Sequence, residues 1–365
     1  MLSARSQVRR VPSYHPPLAG RDGLRLDFNE NIAGCSPRVL ARLRELGPQD
    51  LARYPEREAI EAKVAAFLGA APSEILLTNG VDEAIHLLCQ VYLAPGDEAL
   101  IVVPTYSMYR IYMMAAGAEV ISVPAGPGFQ FPQKEVLRRI TSRTRLIAIA
   151  NPNNPTGTVA SPEQLQQIVQ LASDSAVLID EAYFEFHGKT LLGAHRDFPN
   201  LFVTRTFSKV YGLAGLRVGA LAGNPEQIQV LRRVCSPYNV NAVALACLPA
   251  ALEDQDYIRS YVDEVRSSRI RLEQCLSPLG ISYWPSEANF ILARIGDVAM
   301  SAAFVEYMRS RGILVRDRSS DPGCEGCVRI TLGTREQTAY LLTVLQGAFD
   351  QLGIAQRQRE GALEA

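Results

Sequence analysis

The segment RLIAIANPNNPTGTVASPEQLQQIVQ, residues 145–170, predicts a strand, a tight turn and a helix in immediate succession. Residues 146–150 are all apolar, which is typical of a strand that other elements cover on both faces. The turn is rich in proline and asparagine, and a capping box follows it, with Ser161 as N-cap, Pro162 at N1 and Gln164 at N3. A buried strand that leads into a helix is the repeating unit of a parallel sheet.

Apolar strands of the same kind occur on both sides of this segment. They are ILLT (75–78), LIVVP (100–104), EVISV (119–123), AVLID (176–180), LFVTRTF (201–207) and RVGALA (217–222). Helical patterns separate most of them, and this alternation predicts a mostly parallel sheet that helices cover on both faces. We therefore predict a large α/β domain over residues 48–255.

The pattern changes after about residue 255, where a long amphipathic helix (257–276) begins. After it come the strand NFILARI (289–295), a helix (298–311), the strands ILVR (313–316) and CVRITL (327–332), and a closing helix from about residue 335. This order predicts a smaller α+β domain over residues 256–365, with the N-terminal segment 1–47 packed on it or across the boundary. Ligands of open parallel sheets bind at the carboxyl ends of the strands, so functional residues are expected there.

Composition and charge argue against several classes of protein. The 37 basic and 38 acidic side chains nearly cancel, which gives no reason to expect a nucleic acid or an anionic membrane as partner. No apolar run is long enough to cross a bilayer, and the basic N-terminus lacks the apolar region of a secretory signal. Seven scattered cysteines, an odd number, indicate reduced thiols in a cytoplasmic protein. Cys324 and Cys327 have no nearby histidines or second cysteine pair, so no metal site is expected.

Chemistry that needs a primary amine has four candidates, since the chain contains only four lysines. Lys63, Lys134 and Lys189 lie in helical or turn segments that predict solvated side chains. Lys209 instead follows an apolar strand, among serine and glycine, with no acidic neighbour in the sequence. A lysine that is partly desolvated at a strand end can have a lowered pKa and act as a nucleophile or Schiff-base amine. Position alone leaves an ordinary surface lysine as the alternative.

A carboxylate and an anion cradle are also expected at strand ends. Asp180 ends the strand AVLID, where a carboxylate is costly unless it meets a cation such as a protonated pyridine nitrogen. A helix cap or an ordinary salt bridge is the alternative for this residue. The segment TNGVDEAI (78–85) opens a helix and leaves backbone N–H groups free at Val81 and Asp82, which is a generic anion site. Ser208 and Arg217 could bind the same phosphate.

An amine, a carboxylate and an anion cradle are what pyridoxal 5′-phosphate requires. In this order and spacing, NNPTG (153–157), IDEAY (179–183) and SKVYGLAGLRVG (208–219) resemble the fold-type I, class I/II aminotransferases. LDFNEN (26–31), YPE (54–56), TNGVDEAI and VRITLGT (328–334) resemble the histidinol-phosphate aminotransferase branch in particular. The resemblance extends from about residue 24 to residue 352 and implies the two-domain fold of the pyridoxal-phosphate transferases.

The resemblance also implies a role for each matching residue at the cofactor. Lys209 would carry the cofactor as a Schiff base and transfer a proton, and Asp180 would keep the pyridine nitrogen protonated. The other residues implied to bind the cofactor are Tyr183 and Asn154 at the phenolic oxygen, Tyr106 on the ring face, the backbone of Val81 and Asp82 with the side chains of Ser208 and Arg217 at the phosphate, and Tyr54 from the neighbouring subunit of a homodimer.

For the substrate, the resemblance implies that Arg329 binds the α-carboxylate in a bidentate fork and that Arg316 helps to bind a substrate phosphate. Glu30 and Asn31 belong to the N-terminal segment that closes over the site. One position departs from the branch, which usually has the motif NENPYG where residues 29–34 are NENIAG. Ala33 has no phenol, so the resemblance does not extend to the contact that the tyrosine makes with substrate phosphate.

These features predict an aminotransferase that moves an amino group from an L-amino acid, of the histidinol-phosphate type or another, to a 2-oxo acid. The cycle would be of the ping-pong kind, through the pyridoxamine form of the cofactor. A lyase or cyclase is the alternative, because the same cofactor also supports elimination or cyclisation after deprotonation at Cα, and decarboxylation in place of that deprotonation. The sequence does not identify the amino donor or the acceptor.

Overall fold

A computed structural model describes residues 2–17, 20 and 22–354 of the chain. The helices are α1 (Ser6–Arg9), α2 (Pro37–Arg44), α3 (Pro48–Ala52), α4 (Glu58–Leu68), α5 (Gly80–Tyr92), α6 (Ser107–Ala116), α7 (Gln133–Arg139), α8 (Pro162–Leu171), α9 (Phe184–His187), α10 (Pro225–Arg232), α11 (Ala242–Glu253), α12 (Gln255–Leu276), α13 (Val298–Ser310) and α14 (Arg335–Leu352). Within the described ranges, none of them is both long and apolar enough to cross a membrane.

The strands are β1 (Leu24–Arg25), β2 (Ile75–Thr78), β3 (Glu98–Val103), β4 (Glu119–Pro124), β5 (Thr144–Ala150), β6 (Ala176–Asp180), β7 (Leu201–Thr206), β8 (Gly219–Gly223), β9 (Phe290–Arg294), β10 (Ile313–Leu314), β11 (Arg316–Asp317) and β12 (Cys327–Thr331). Seven of them form one large sheet in the order β2-β8-β7-β6-β5-β3-β4. Strand β8 is antiparallel to both of its neighbours, and the pairs from β7 to β4 are parallel. The mostly parallel α/β sheet expected from the sequence is therefore confirmed.

Helices cover both faces of the large sheet. Along β6, Val177 and Ile179 pack into a core with α7 and α8, whereas Leu178 packs into a second core with α5 and α6. Successive residues of a strand point to opposite faces, so a strand with a core on each side is apolar at every position. The predicted capping box of α8 is also present, since Ser161 and Gln164 each accept a hydrogen bond from the other's backbone N–H.

The C-terminal part of the chain contains a three-stranded sheet, in which β12 is antiparallel to both β11 and β9. Strand β1 near the N-terminus runs parallel to β10. The segment ILVR (313–316), expected as one strand, instead divides at Val315 into β10 and β11, which pair in different sheets. The reason is that its backbone groups bond two separate partners, and an apolar pattern does not reveal the partner of each residue.

The large sheet brings distant segments of the chain to one edge. Ala150 of β5 lies opposite Asp180 of β6, and Asp180 lies opposite Thr204 of β7. The turn 151–157, Asp180 and the segment that contains Lys209 consequently meet where three parallel strands end. This is the edge at which ligands of such sheets bind.

Candidate active site

A cleft of about 620 Å³ lies at this edge and opens to solvent. Nine of the residues expected at a cofactor line it: Val81, Asp82, Tyr106, Asn154, Asp180, Tyr183, Ser208, Lys209 and Arg217. They come from six separate segments between β2 and β8, so the fold alone brings them together.

Asp180 is a buried carboxylate, 5% exposed, at the floor of the cleft. It accepts hydrogen bonds from Thr204 Oγ1 at 2.9 Å, from the backbone N–H of Ala182 at 3.1 Å, and from the hydroxyl of Tyr109. Burial raises the pKa of Asp180, and these hydrogen bonds act to lower it. In the described part of the chain no lysine or arginine forms an ion pair with it. A carboxylate held by neutral donors alone is suited to a cation supplied by a ligand.

Tyr109 and Thr204 were not among the residues predicted from the sequence. Tyr109 is fully buried on α6, three residues after Tyr106, and the two rings meet edge to face at 5.8 Å. Tyr106 is the N-cap residue of this helix, and a spacing of three residues brings Tyr109 to the same side, which could have been inferred from the sequence. Thr204 lies beside Asp180 because β6 and β7 are neighbours in the sheet. The order of the strands could not be predicted from the sequence.

Lys209 is the lysine of the cleft, whereas Lys63, Lys134 and Lys189 are exposed elsewhere. Its Nζ donates to the carbonyl oxygen of Phe28 at 3.1 Å. Burial, together with the charges of Arg329 and Arg217, lowers the pKa of Lys209 to about 8, although nearby carboxylates oppose the shift. About a tenth of this amine is therefore neutral and nucleophilic at pH 7, far more than for an exposed lysine.

The N-terminus of α5, expected to bind an anion, borders the cleft. The N-cap residue Asn79 makes no side-chain cap at this end. Gly80 has a φ of +71°, and a Cβ at this position would also lie 2.6 Å from the guanidinium of Arg217. Glycine thus lets the arginine approach the first turn of the helix. Arg217 also lies 3.5 Å from Ser208 Oγ and 3.0 Å from a carboxylate oxygen of Asp82, an ion pair that the sequence did not suggest. Backbone N–H groups, a hydroxyl and a guanidinium together suit a phosphate.

The opposite wall of the cleft is tied to the N-terminal segment and to the three-stranded sheet. The hydroxyl of buried Tyr183 accepts a hydrogen bond from Asn29 Nδ2 at 2.9 Å. Asn154 Oδ1 accepts one from Arg329 at 2.5 Å, and Arg329 also donates to the backbone carbonyl of Asp27 at 2.5 Å. Asn29 was quoted in the sequence motif but given no role, because its partner is 154 residues away.

Arg329 lies behind this wall rather than in the lining of the cleft. It is 5% exposed, and its Nε is buried with no hydrogen-bond partner among the described residues. Burial and neighbouring arginines lower its pKa to about 10. Arg316 lies directly opposite it on β11, with its guanidinium 5.4 Å from the ring centre of Phe28.

The remaining expected residues lie outside the cleft. Glu30 forms an ion pair with Arg25, and Asn31 donates to the carbonyl of Val210 at 2.8 Å. Both line a neighbouring pocket that shares Ser208 with the cleft.

Tyr54 does not contribute to the cleft of its own chain. It is 78% exposed and stacks on Tyr238 with ring centres 4.1 Å apart.

Cys324 and Cys327 are buried and form no disulfide, and the described residues contain no cluster of histidine, cysteine or acidic side chains that could hold a metal ion.

Comparison with known proteins agrees with this geometry. A family model described as aminotransferase class I and II matches residues 21–345. The chain is 38% identical to a histidinol-phosphate aminotransferase of Roseobacter denitrificans, over 94% of this chain and 98% of the relative. A crystal structure of histidinol-phosphate aminotransferase from Sinorhizobium meliloti in complex with pyridoxal 5′-phosphate superposes with a TM-score of 0.87 at 25% identity, over 96% of this chain and 99% of that one.

The fold alone does not select the reaction. An L-threonine-O-3-phosphate decarboxylase from Porphyromonas gingivalis has the same fold, with a TM-score of 0.75 over 90% of this chain and 99% of that one, at only 22% identity. The choice between the two reactions rests on the family match and on relatives at 33–38% identity that are aminotransferases. They support transamination over the lyase or cyclase alternative.

We predict that replacing Lys209 with alanine prevents covalent attachment of pyridoxal 5′-phosphate. The visible absorbance band of the lysine-bound cofactor should disappear, and turnover should fall by about 10²-fold to 10⁴-fold. Lys189→Ala, which alters an exposed lysine, is the matched control and should keep both. A Lys209→Ala protein that retains the band would mean that another amine carries the cofactor.

We also predict that the rate at which the cofactor-free protein captures pyridoxal 5′-phosphate rises with pH, with a midpoint at about pH 8. The neutral amine is the nucleophile, so the rate follows deprotonation of Lys209, whose pKa burial lowers to about 8. Stopped-flow absorbance over a range of pH measures this. The same rate is measured with the lysine of a short peptide, whose pKa is about 10.4, and this comparison corrects for ionisation of the cofactor itself. A midpoint equal to that of the peptide amine would contradict the lowered pKa.

Proposed function

This chain belongs to the aminotransferase class I and II family, and we propose that it transfers an amino group from a phosphorylated amine of the histidinol-phosphate type to a 2-oxo acid. The observation that carries the proposal is the relative at 38% identity, which aligns over 94% of this chain and 98% of its own length. Two arginines beside the cleft, Arg316 and Arg329, support an anionic substrate.

The residues of the cleft fit pyridoxal 5′-phosphate. The first turn of α5 with Ser208 and Arg217 would hold its phosphate, and the lack of a Cβ at Gly80 leaves room for the guanidinium of Arg217 beside that turn. Asp180, buried among neutral donors, would hold its ring nitrogen, and Lys209 would bond its aldehyde carbon. When bound, the cofactor supplies a protonated pyridine ring that draws in the electron pair left at the substrate Cα.

The protein's own contribution to the reaction is positioning and proton transfer. Lys209 Nζ, with a pKa of about 8, would take up the proton released at the substrate Cα and give it back at the next step. Tyr183 and Asn154 would orient the ring through hydrogen bonds to its phenolic oxygen, and Tyr106 would cover one ring face.

The N-terminal segment and the arginines would orient the substrate. The carbonyl of Phe28 contacts Lys209, and Asn29 contacts Tyr183, so this segment limits the access of water to the reacting atoms. The buried Nε of Arg329 has no hydrogen-bond partner among the described residues, and Arg329 would bind the substrate anion together with Arg316. Holding the substrate by its anionic end fixes the Cα–H bond relative to Lys209.

We further propose that the active form is a homodimer in which Tyr54 reaches the cofactor phosphate of the partner. Tyr54 and Tyr238 form an exposed aromatic pair, and Leu51, three residues before Tyr54, is also exposed; exposed apolar groups of this kind are typical of interfaces. The seven unbonded cysteines support a reducing, cytoplasmic location.

The substrate proposal predicts that L-histidinol phosphate converts the aldehyde form of the enzyme to the pyridoxamine form within a single half-reaction. Loss of the aldehyde-form absorbance measures the conversion, and a 2-oxo acid should restore it. L-histidinol, which lacks only the phosphate, is the matched control and should react much more slowly because it leaves the arginines without an anion. Equal rates for the two amines, or no reaction with either, would contradict the proposal.

The dimer proposal predicts that two inactive variants complement each other. Lys209→Ala lacks the amine, and Tyr54→Ala lacks the residue proposed to cross the interface. After dissociation and mixing, each hybrid dimer contains one site with both native residues, so activity should return. Mixing Lys209→Ala with Lys209→Met is the control and should restore nothing. Absence of recovery in verified hybrids would mean that Tyr54 acts within its own chain or has no role at the site.

A further inference from the structure

Three arginines lie on one face of the three-stranded sheet. Arg316 of β11 lies directly opposite Arg329 of β12 in the antiparallel register. Arg318 follows two residues later, and its backbone N–H donates to the carbonyl of Cys327 at 2.9 Å, which continues the same ladder. Residues two apart on a strand share a face, so Arg318 lies on the same side as the other two. We refer to Arg316, Arg318 and Arg329 as the arginine cluster.

The arginine cluster concentrates positive charge in a largely buried place. Arg318 and Arg316 both act to lower the pKa of Arg329, and like charges on facing strands destabilise a sheet. Within the described residues, the cluster takes part in a single ion pair, between Arg318 and Asp321. Asp321 interacts with all three arginines, yet burial still raises its pKa. Further negative charge bound among the guanidinium groups would reduce this repulsion.

The cluster also contains donors that the protein itself does not use. The Nε atoms of Arg318 and Arg329 are both buried, with no hydrogen-bond partner in the part of the chain that the structure describes. A buried charged donor without a partner is costly, and a bound anion would satisfy it. The cluster adjoins the cleft, because Arg329 donates to Asn154 and the charge of Arg318 acts on the phenol of Tyr183.

We propose that Arg318 completes the subsite for the substrate anion, and that the three guanidinium groups together select a phosphate monoester over a carboxylate. A phosphate monoester carries a charge of about −1.5 to −2 at neutral pH and offers three acceptor oxygens. A carboxylate carries one charge on two oxygens, which a single arginine fork can satisfy. This inference rests on the proposed function, because it concerns which amine the same cleft accepts.

The test compares Arg318→Gln with Arg309→Gln, which alters an exposed arginine on α13 of the same part of the chain. Inorganic phosphate is titrated calorimetrically into holoenzyme whose cofactor has been fixed to the protein by borohydride reduction. The half-reaction of the unreduced holoenzyme is then measured with L-histidinol phosphate, L-histidinol and L-glutamate.

We expect Arg318→Gln to raise the Kd of phosphate and the KM for L-histidinol phosphate by about tenfold, while kcat changes little. The loss should be much smaller for L-histidinol and L-glutamate, and Arg309→Gln should behave as the wild type. Arg318→Lys, which keeps the charge without the planar fork, should recover part of the affinity. Retention of the visible absorbance band shows that the variants are folded and hold the cofactor.

Three outcomes separate this inference from the proposed function. If the wild type prefers L-histidinol phosphate and Arg318→Gln does not change its KM, the role of Arg318 is refuted and the proposed function stands. If Arg318→Gln weakens all three amines equally, its role is structural and the inference is likewise refuted. If the wild type binds phosphate through Arg318 but reacts with no phosphorylated amine, the subsite stands and the proposed substrate is wrong.

Discussion

The burial of a carboxylate at the carboxyl edge of a parallel sheet is the constraint on which the rest of the site depends. Asp180 is 5% exposed and is held by a threonine, a tyrosine and one backbone N–H, none of which carries a charge. Burial consequently raises its pKa, and a cation that bound against it would stabilise the ionised form. The neighbouring strands place the amine and the anion cradle around this carboxylate, so the sheet sets the geometry of the whole cleft.

Much of this arrangement could be predicted because apolar strands, and the residues at their ends, can be identified from the sequence. The apolar strands, the capping box of α8 and the isolated position of Lys209 all follow from local pattern. Nine expected cofactor residues line one cleft because they follow or precede such strands. Glu30 and Asn31 bond within and beside the N-terminal segment and line a neighbouring pocket, so their expected role at the substrate stays a prediction.

What could not be predicted depends on pairing between distant segments. Thr204 contacts Asp180 through the order of β6 and β7, and Asn29 contacts Tyr183 across the boundary between two parts of the chain. The division of ILVR at Val315 has the same cause, because β10 and β11 bond to strands in different sheets. Arg318 acquires its significance only from the register that places it beside Arg316 and Arg329.

Two arginines from different walls of the cleft act on the amine of Lys209. Arg217 at the cradle and Arg329 behind the opposite wall both lower the pKa of Lys209, in addition to the larger effect of burial. An anion bound at either arginine would reduce the repulsion that the ammonium form experiences, so the amine would become more basic as the site fills. In the proposed reaction, a low pKa would favour the neutral amine that attacks an aldehyde, and a higher pKa would favour the amine that holds a proton from the substrate. The same lysine would then meet both requirements in turn, because its electrostatic surroundings would change with the charge of what is bound.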